Sequence, residues 1–258
     1  MEKVVAVVTG PEHNGTTYLK NLFDSHPYIF SAFETGILHH NDFSKCNPWN
    51  KWIHLGNFKW GLPKDKIIDN LELSIAEKYD ILFKNKGSYD GKIQKLIKES
   101  KYIVDKTPIY IRNLPNVYER IKYYNIPIFI TIKYFKGYYS SLKRRGCKDE
   151  QIVNLVEKTL ENLIWLKNNK IKIKNIYLFR YQDILKPNFI NKLKEIIKDR
   201  IDVGFEISYD KYIEKIGENT QRPYFGWKKS KELNVPNNMK ELEKKYDKII
   251  NELKEDII

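Results

Sequence analysis

Two glycines five residues apart, Gly10 and Gly15, follow an apolar run and precede a hydroxyl pair in VVAVVTGPEHNGTTYLKNLF, residues 4 to 23. A glycine turn that opens a helix points several backbone N–H groups and the positive end of the helix dipole at one place, which suits a phosphate or another anion. The spacing is that of a nucleoside-triphosphate loop, but the lysine that follows the second glycine in such a loop is replaced by Thr16. That lysine, with Mg²⁺, offsets charge on a phosphoryl group in transfer. Without it, and without a clear strand ending in a metal-binding Asp, triphosphate hydrolysis is disfavoured; Asp105 is the one strand-end residue available as a metal ligand. The plainer reading of Thr16 and Thr17 is an ordinary helix cap.

The elements that must position this loop follow from the apolar pattern. Val4 to Val8 reads as a buried strand, and the helix after Gly15 puts Leu19, Leu22 and Phe23 on one face before stopping at Asp24-Ser25-His26-Pro27. Tyr28 to Phe33 is a short extended run that delivers Glu34, and YIVDKTP, 102 to 108, is a strand ending in polar residues. IPIFITIKY and NIYLFRYQDIL give two further strands. Helices are expected over LPNVYERIKYY, over GYYSSLKRRG closed by Gly146, and over the stretch from Asp149 in which Ile152, Leu155, Val156, Leu160, Leu163 and Ile164 share a face. Pro187 suits the first turn of another helix, and NMKELEKKYDKIINELKE closes the chain as an amphipathic one. Strands alternating with helices predict an α/β domain with a parallel sheet flanked by helices. Residues 1 to 258 read as one domain, with an insertion at about 40 to 100 that carries Trp49, Trp52 and Trp60.

Composition narrows the partners. At 41% hydrophobic and 31% charged residues the chain reads as globular, with no apolar run near the ~20 residues that span a bilayer. Charged Glu2 and Lys3 and only five apolar residues before Thr9 make a signal peptide unexpected, and two cysteines, Cys46 and Cys147, are too few for a disulfide framework. A cytoplasmic location is the expectation, with no membrane partner. The net charge of +13 points to anionic ligands, although Lys and Glu interleaved on helical faces also fit a solvated surface. Nucleic acid is not expected, since no basic-aromatic module is present.

A sulfuryl group carries less negative charge than a phosphoryl group, so its transfer needs an aligned donor and a stabilised leaving phosphate rather than a metal. GPEHNGTTYLKNLFDSHP followed by Glu34 resembles the 5′-phosphosulfate segment of the sulfotransferases that use 3′-phosphoadenosine 5′-phosphosulfate (PAPS). VDKTPIYIRNLP is similar to their acidic-Lys-Thr-Pro segment, IFITIKYFKGYYSSL to their 3′-phosphate motif, YLFRYQDIL to their Arg-Tyr-Glu-Asp-Leu segment, and YFGWKKS to their Gly-x-Trp-basic segment. The likeness runs in order along most of the chain, 40 to 100 excepted, and implies a P-loop-like sulfotransferase fold with PAPS as co-substrate and no metal.

By this resemblance the amides of Asn14, Gly15, Thr16 and Thr17 cradle the phosphosulfate, and both threonine hydroxyls donate to it. His13 stands at the family's catalytic Arg or Lys, and contact with the donor would favour its protonated form. Glu34 is the base for the acceptor hydroxyl, with His39 and His40 as rivals, and Lys106 steadies the charge that develops in transfer. Lys133, where the family has Arg, and Ser141 eight residues on hold the 3′-phosphate; Arg144 and Arg145 either add to that site or complement their helix end. Trp227 and Lys228, with Gly226, close over the adenine and the 3′-phosphate. The acceptor is a sugar or another small hydroxylated molecule, a phenol or tyrosyl group coming second. Two alternatives stay open: a P-loop nucleotide kinase or triphosphatase, and a PAPS-binding member with weakened catalysis.

Overall fold

The computed structural model describes residues 1–39, 73–84, 100–186, 188–201 and 232–256. The five apolar runs form one parallel sheet of strands β1 (Val4–Thr9), β2 (Ile29–Phe33), β3 (Tyr102–Lys106), β4 (Ile128–Ile132) and β5 (Ile176–Arg180), in the order β2-β3-β1-β4-β5. β1, at the centre, is buried along its whole length, as a parallel strand covered on both faces must be.

Helices cover both faces. On one lie α1 (Thr16–Asp24) and α7 (Phe189–Ile197), whose Leu19, Phe23, Phe189 and Leu193 pack on Val5, Phe129 and Phe179. On the other lie α2 (Ile75–Lys84), α3 (Leu114–Ile121), α4 (Phe135–Lys143), α5 (Asp149–Asn169) and α8 (Lys240–Asp256), around Tyr79, Tyr110, Val117, Tyr138, Val156 and Tyr246. α6 (Tyr181–Ile184) is a single turn after β5.

Most expected elements are present with small shifts. The helix expected from Gly137 starts at Phe135, because the carboxylate of Asp247 on α8 accepts the Phe135 N–H at 2.7 Å and caps it from outside. Ile164, assigned to the buried face of α5, is 40% exposed, whereas Leu163 and Leu166 are buried. Pro187 lies outside the described residues, as do Trp49, Trp52 and Trp60.

Candidate functional site

The C-terminal end of every strand carries a residue of interest: the glycine loop after β1, Glu34 after β2, Lys106 at the end of β3, Lys133 after β4 and Tyr181 after β5. In open parallel sheets this edge is where ligands bind.

The loop is fixed on all sides. Gly10, at φ 149°, lies against β4 so closely that a Cβ there would collide with the Thr131 carbonyl oxygen. Gly15, at φ 100°, lies under the ring of Tyr181, which a Cβ would strike. Thr9 Oγ1 donates to the Pro108 carbonyl at 2.9 Å, and Glu12 pairs with Arg112, both from the turn that follows β3. Asn14 is fully buried; its Nδ2 donates to the Glu12 carbonyl at 3.0 Å, and its Oδ1 accepts the backbone N–H of Lys133 at 2.5 Å.

That arrangement corrects one expectation. The Asn14 amide donates to the Pro11 carbonyl at 3.1 Å, so it closes the turn instead of cradling a ligand. The first intrahelical bond runs from Leu19 N–H to Gly15 O, which leaves the amides of Gly15, Thr16 and Thr17 at the open helix end. No hydroxyl caps the helix, so the plain capping role of the threonines is not seen.

His13 stands at the rim in a left-handed conformation, φ 63°. Partial burial, then the charges of Arg145 and Lys133, push its imidazole down to about 4, against an opposing pull from Glu34. In the free protein the imidazole is therefore neutral at pH 7; the protonated form is expected only in contact with the donor.

Lys133 and Ser141 are brought together. The Lys133 ammonium donates to Ser141 Oγ at 3.1 Å and lies 4.8 Å from the centre of the Tyr181 ring, and Ser141 in turn donates to the Gly137 carbonyl at 2.8 Å. Eight residues of spacing achieve this because α4 starts two residues after Lys133 and its second turn carries Ser141 back over the strand end. Burial lowers the Lys133 ammonium to about 8, Arg144 adds to the fall, and Glu232 opposes it.

Glu34 and Lys106 form the second pair, with Lys106 Nζ donating to Glu34 Oε1 at 2.8 Å. Lys106 is 1% exposed, and burial lowers its ammonium from the ordinary value while Glu34 pulls the other way. Glu34 sits at φ 51°, and its N–H donates to the Lys106 carbonyl at 2.8 Å.

Asp105 is no metal ligand. It is fully buried, and its carboxylate accepts hydroxyls from Thr35 at 2.8 Å, Tyr79 at 2.5 Å, Tyr110 at 2.8 Å and Thr107 at 2.7 Å. Among the described residues no group of His, Cys, Asp or Glu gathers to hold a metal, and no helix is long and apolar enough to cross a membrane. His39 is buried, its carbonyl accepting from Asn113 Nδ2 at 2.9 Å. His40, Trp227 and Lys228 lie outside the described residues.

Sequence reasoning gave no role to Tyr181, Tyr79 or Thr35. Tyr181 had a signal in its place after a strand that ends in Arg180; Tyr79 and Thr35 had none.

No family model matches the chain, and no curated protein matches it by sequence. Solved structures do. The sulfotransferase domain from the Synechococcus PCC 7002 olefin synthase superposes with a TM-score of 0.57 at 12% identity, over 97% of this chain and 94% of that one. The sulfotransferase domain from the curacin biosynthetic pathway gives 0.51 at 16% identity, over 83% and 78%. With its central strand, glycine loop and strand order, the chain has the α/β fold of sulfotransferase domains.

Proposed function

We propose that this chain is a PAPS-dependent sulfotransferase acting on a hydroxyl of a sugar or another small acceptor. The observation that carries the reading is the Lys133–Ser141 pair, a largely buried ammonium 3.1 Å from a hydroxyl, beside the open amides of Gly15, Thr16 and Thr17. Such a set fits an anion with phosphates at two positions, and Arg144 and Arg145 add positive charge nearby. The ring of Tyr181 joins the two halves, lying against Gly15 of the loop and under the Lys133 ammonium.

In this reading the acceptor oxygen bonds to sulfur as the bond from sulfur to the 5′-phosphate oxygen breaks, leaving 3′-phosphoadenosine 5′-phosphate (PAP). Glu34 takes the acceptor proton, and Lys106 steadies the charge on the transferring group. His13 offers an N–H to the donor, whose negative charge opposes the burial and the cations that lower the imidazole in the free protein. The triphosphatase reading lacks its metal ligand, because Asp105 is committed to four hydroxyls. A donor-binding protein with weak turnover is the second reading, favoured by the neutral His13.

Calorimetric titration with PAP, adenosine 5′-phosphate and Mg-ATP, with and without EDTA, tests the assignment. PAP binds tightest and is indifferent to the chelator; a preference for Mg-ATP overturns the reading. Turnover of PAPS separates the two remaining readings: His13→Ala lowers turnover more than donor affinity, and His13→Arg retains or raises it. An alanine variant with full activity removes His13 from the chemistry.

A further inference from the structure

Among the described residues the most heavily bonded buried charge outside the donor pocket is Asp105. Burying a carboxylate is costly, and hydroxyl donors offset that cost without the charge of an Arg or Lys partner. Neighbouring residues on a strand point to opposite faces, so Asp105 faces Tyr79 and Tyr110 while Lys106 faces Glu34. Asp105 therefore acts on the geometry of the pair through the backbone and through Thr35, while its charge also raises the Lys106 ammonium through space.

Thr35 is the residue after Glu34, and Glu34 is held at φ 51°, a conformation that costs a glutamate about 1 kcal/mol and persists only when both flanks are fixed. One flank is the Glu34 N–H bonded to the Lys106 carbonyl, and the other is Thr35 Oγ1 bonded to Asp105. Beyond Thr35, the Leu38 N–H donates to Tyr110 OH at 3.0 Å, so the turn is wrapped on the same hub. Tyr79 comes from α2, whose only described link to the carboxylate is its hydroxyl at 2.5 Å.

We propose that Asp105 is the positioning residue for the Glu34–Lys106 pair, acting through Thr35, and that Tyr79 ties α2 to that pair. The proposal rests on the sulfotransferase reading for its kinetic arm only.

The test uses Thr35→Val, Thr35→Ser, Tyr79→Phe and Asp105→Asn in the full chain. One arm is independent of any donor: the Lys106 ammonium is titrated by NMR with lysine labelled at 13Cε, its signal assigned by Lys106→Arg. Glu34 raises the Lys106 value, so disordering the pair leaves a buried ammonium without that support and its midpoint falls. We expect the fall in Thr35→Val, a smaller one in Tyr79→Phe, recovery in Thr35→Ser, and a larger fall in Asp105→Asn than in Thr35→Val, since the Asp105 charge also raises Lys106 directly. In the kinetic arm Thr35→Val lowers kcat about tenfold or more and leaves PAP affinity within about twofold, since the misplaced group is the base and not the donor site. An unmoved Lys106 midpoint in folded Thr35→Val overturns the proposal, and so does a parallel loss of kcat and PAP affinity. Wild-type protein that binds no PAP overturns the donor reading while the NMR arm still judges the hub.

Discussion

In the proposed function a lysine, Lys133, and not an arginine meets the 3′-phosphate, and pH exposes the difference. Lys133 titrates near 8 because its ammonium is largely buried and Arg144 is near. A group with a lowered value is charged below it and neutral above it, so raising the pH from 7 to 9 takes the charged fraction from about nine-tenths to about one-tenth. The 3′-phosphate keeps its full charge over that range, its second proton leaving near pH ~6. If binding requires the ammonium, PAP affinity falls about tenfold between pH 7 and 9, or about 1.4 kcal/mol. Calorimetry at pH 7, 8 and 9 measures this directly. Adenosine 5′-phosphate, which has no 3′-phosphate, loses much less. Lys133→Arg flattens the PAP profile, because a guanidinium stays charged throughout. A flat wild-type profile, or an equal fall in Lys133→Arg, refutes the placement of the phosphate on Lys133.

Three further outcomes follow from the geometry of the loop. Asn14→Ala leaves the Lys133 N–H buried without its acceptor, so denaturant unfolding should register a loss of about 1–3 kcal/mol; an unchanged midpoint contradicts the bridge. Gly10→Ala forces a Cβ into the Thr131 carbonyl and should cost about 3 kcal/mol or more, whereas Gly146→Ala, at φ 83° in open space, should cost only about 1 kcal/mol in the same melts. Arg112→Leu strands the Glu12 carboxylate, so adding Glu12→Gln should recover stability; a double-mutant cycle is expected to give a coupling of about 1–3 kcal/mol, and additivity would show the pair to be inert.

The parts of this molecule that were legible in sequence are those built from neighbours. β1, the glycine turn and α1 follow one another directly, and Lys133 and Ser141 are eight residues apart on a strand and the helix it feeds. What escaped is held by contacts between distant positions. Tyr79 and Thr35 reach Asp105 across 26 and 70 residues, and Asn14 reaches Lys133 across 119. No periodicity encodes such pairings, since a tyrosine in an amphipathic helix reads as core whether or not its hydroxyl meets a carboxylate. The lowered value of His13 was hidden for a similar reason: its burial and the cations that add to the fall, Arg145 and Lys133, come from residues remote in sequence.

The last described helix reaches back to the donor side of the sheet. Asp247 caps α4, Asn251 accepts from the Tyr134 hydroxyl at 2.6 Å, and the ring of Tyr246 packs against Phe135 and Tyr138. A ribosome must therefore have released the chain beyond residue 251 before the helix bearing Ser141 acquires its outside support. Until then all five strands of the sheet have emerged while α4 still lacks its outside cap, so in the proposed function the pocket around Ser141 is finished after the sheet.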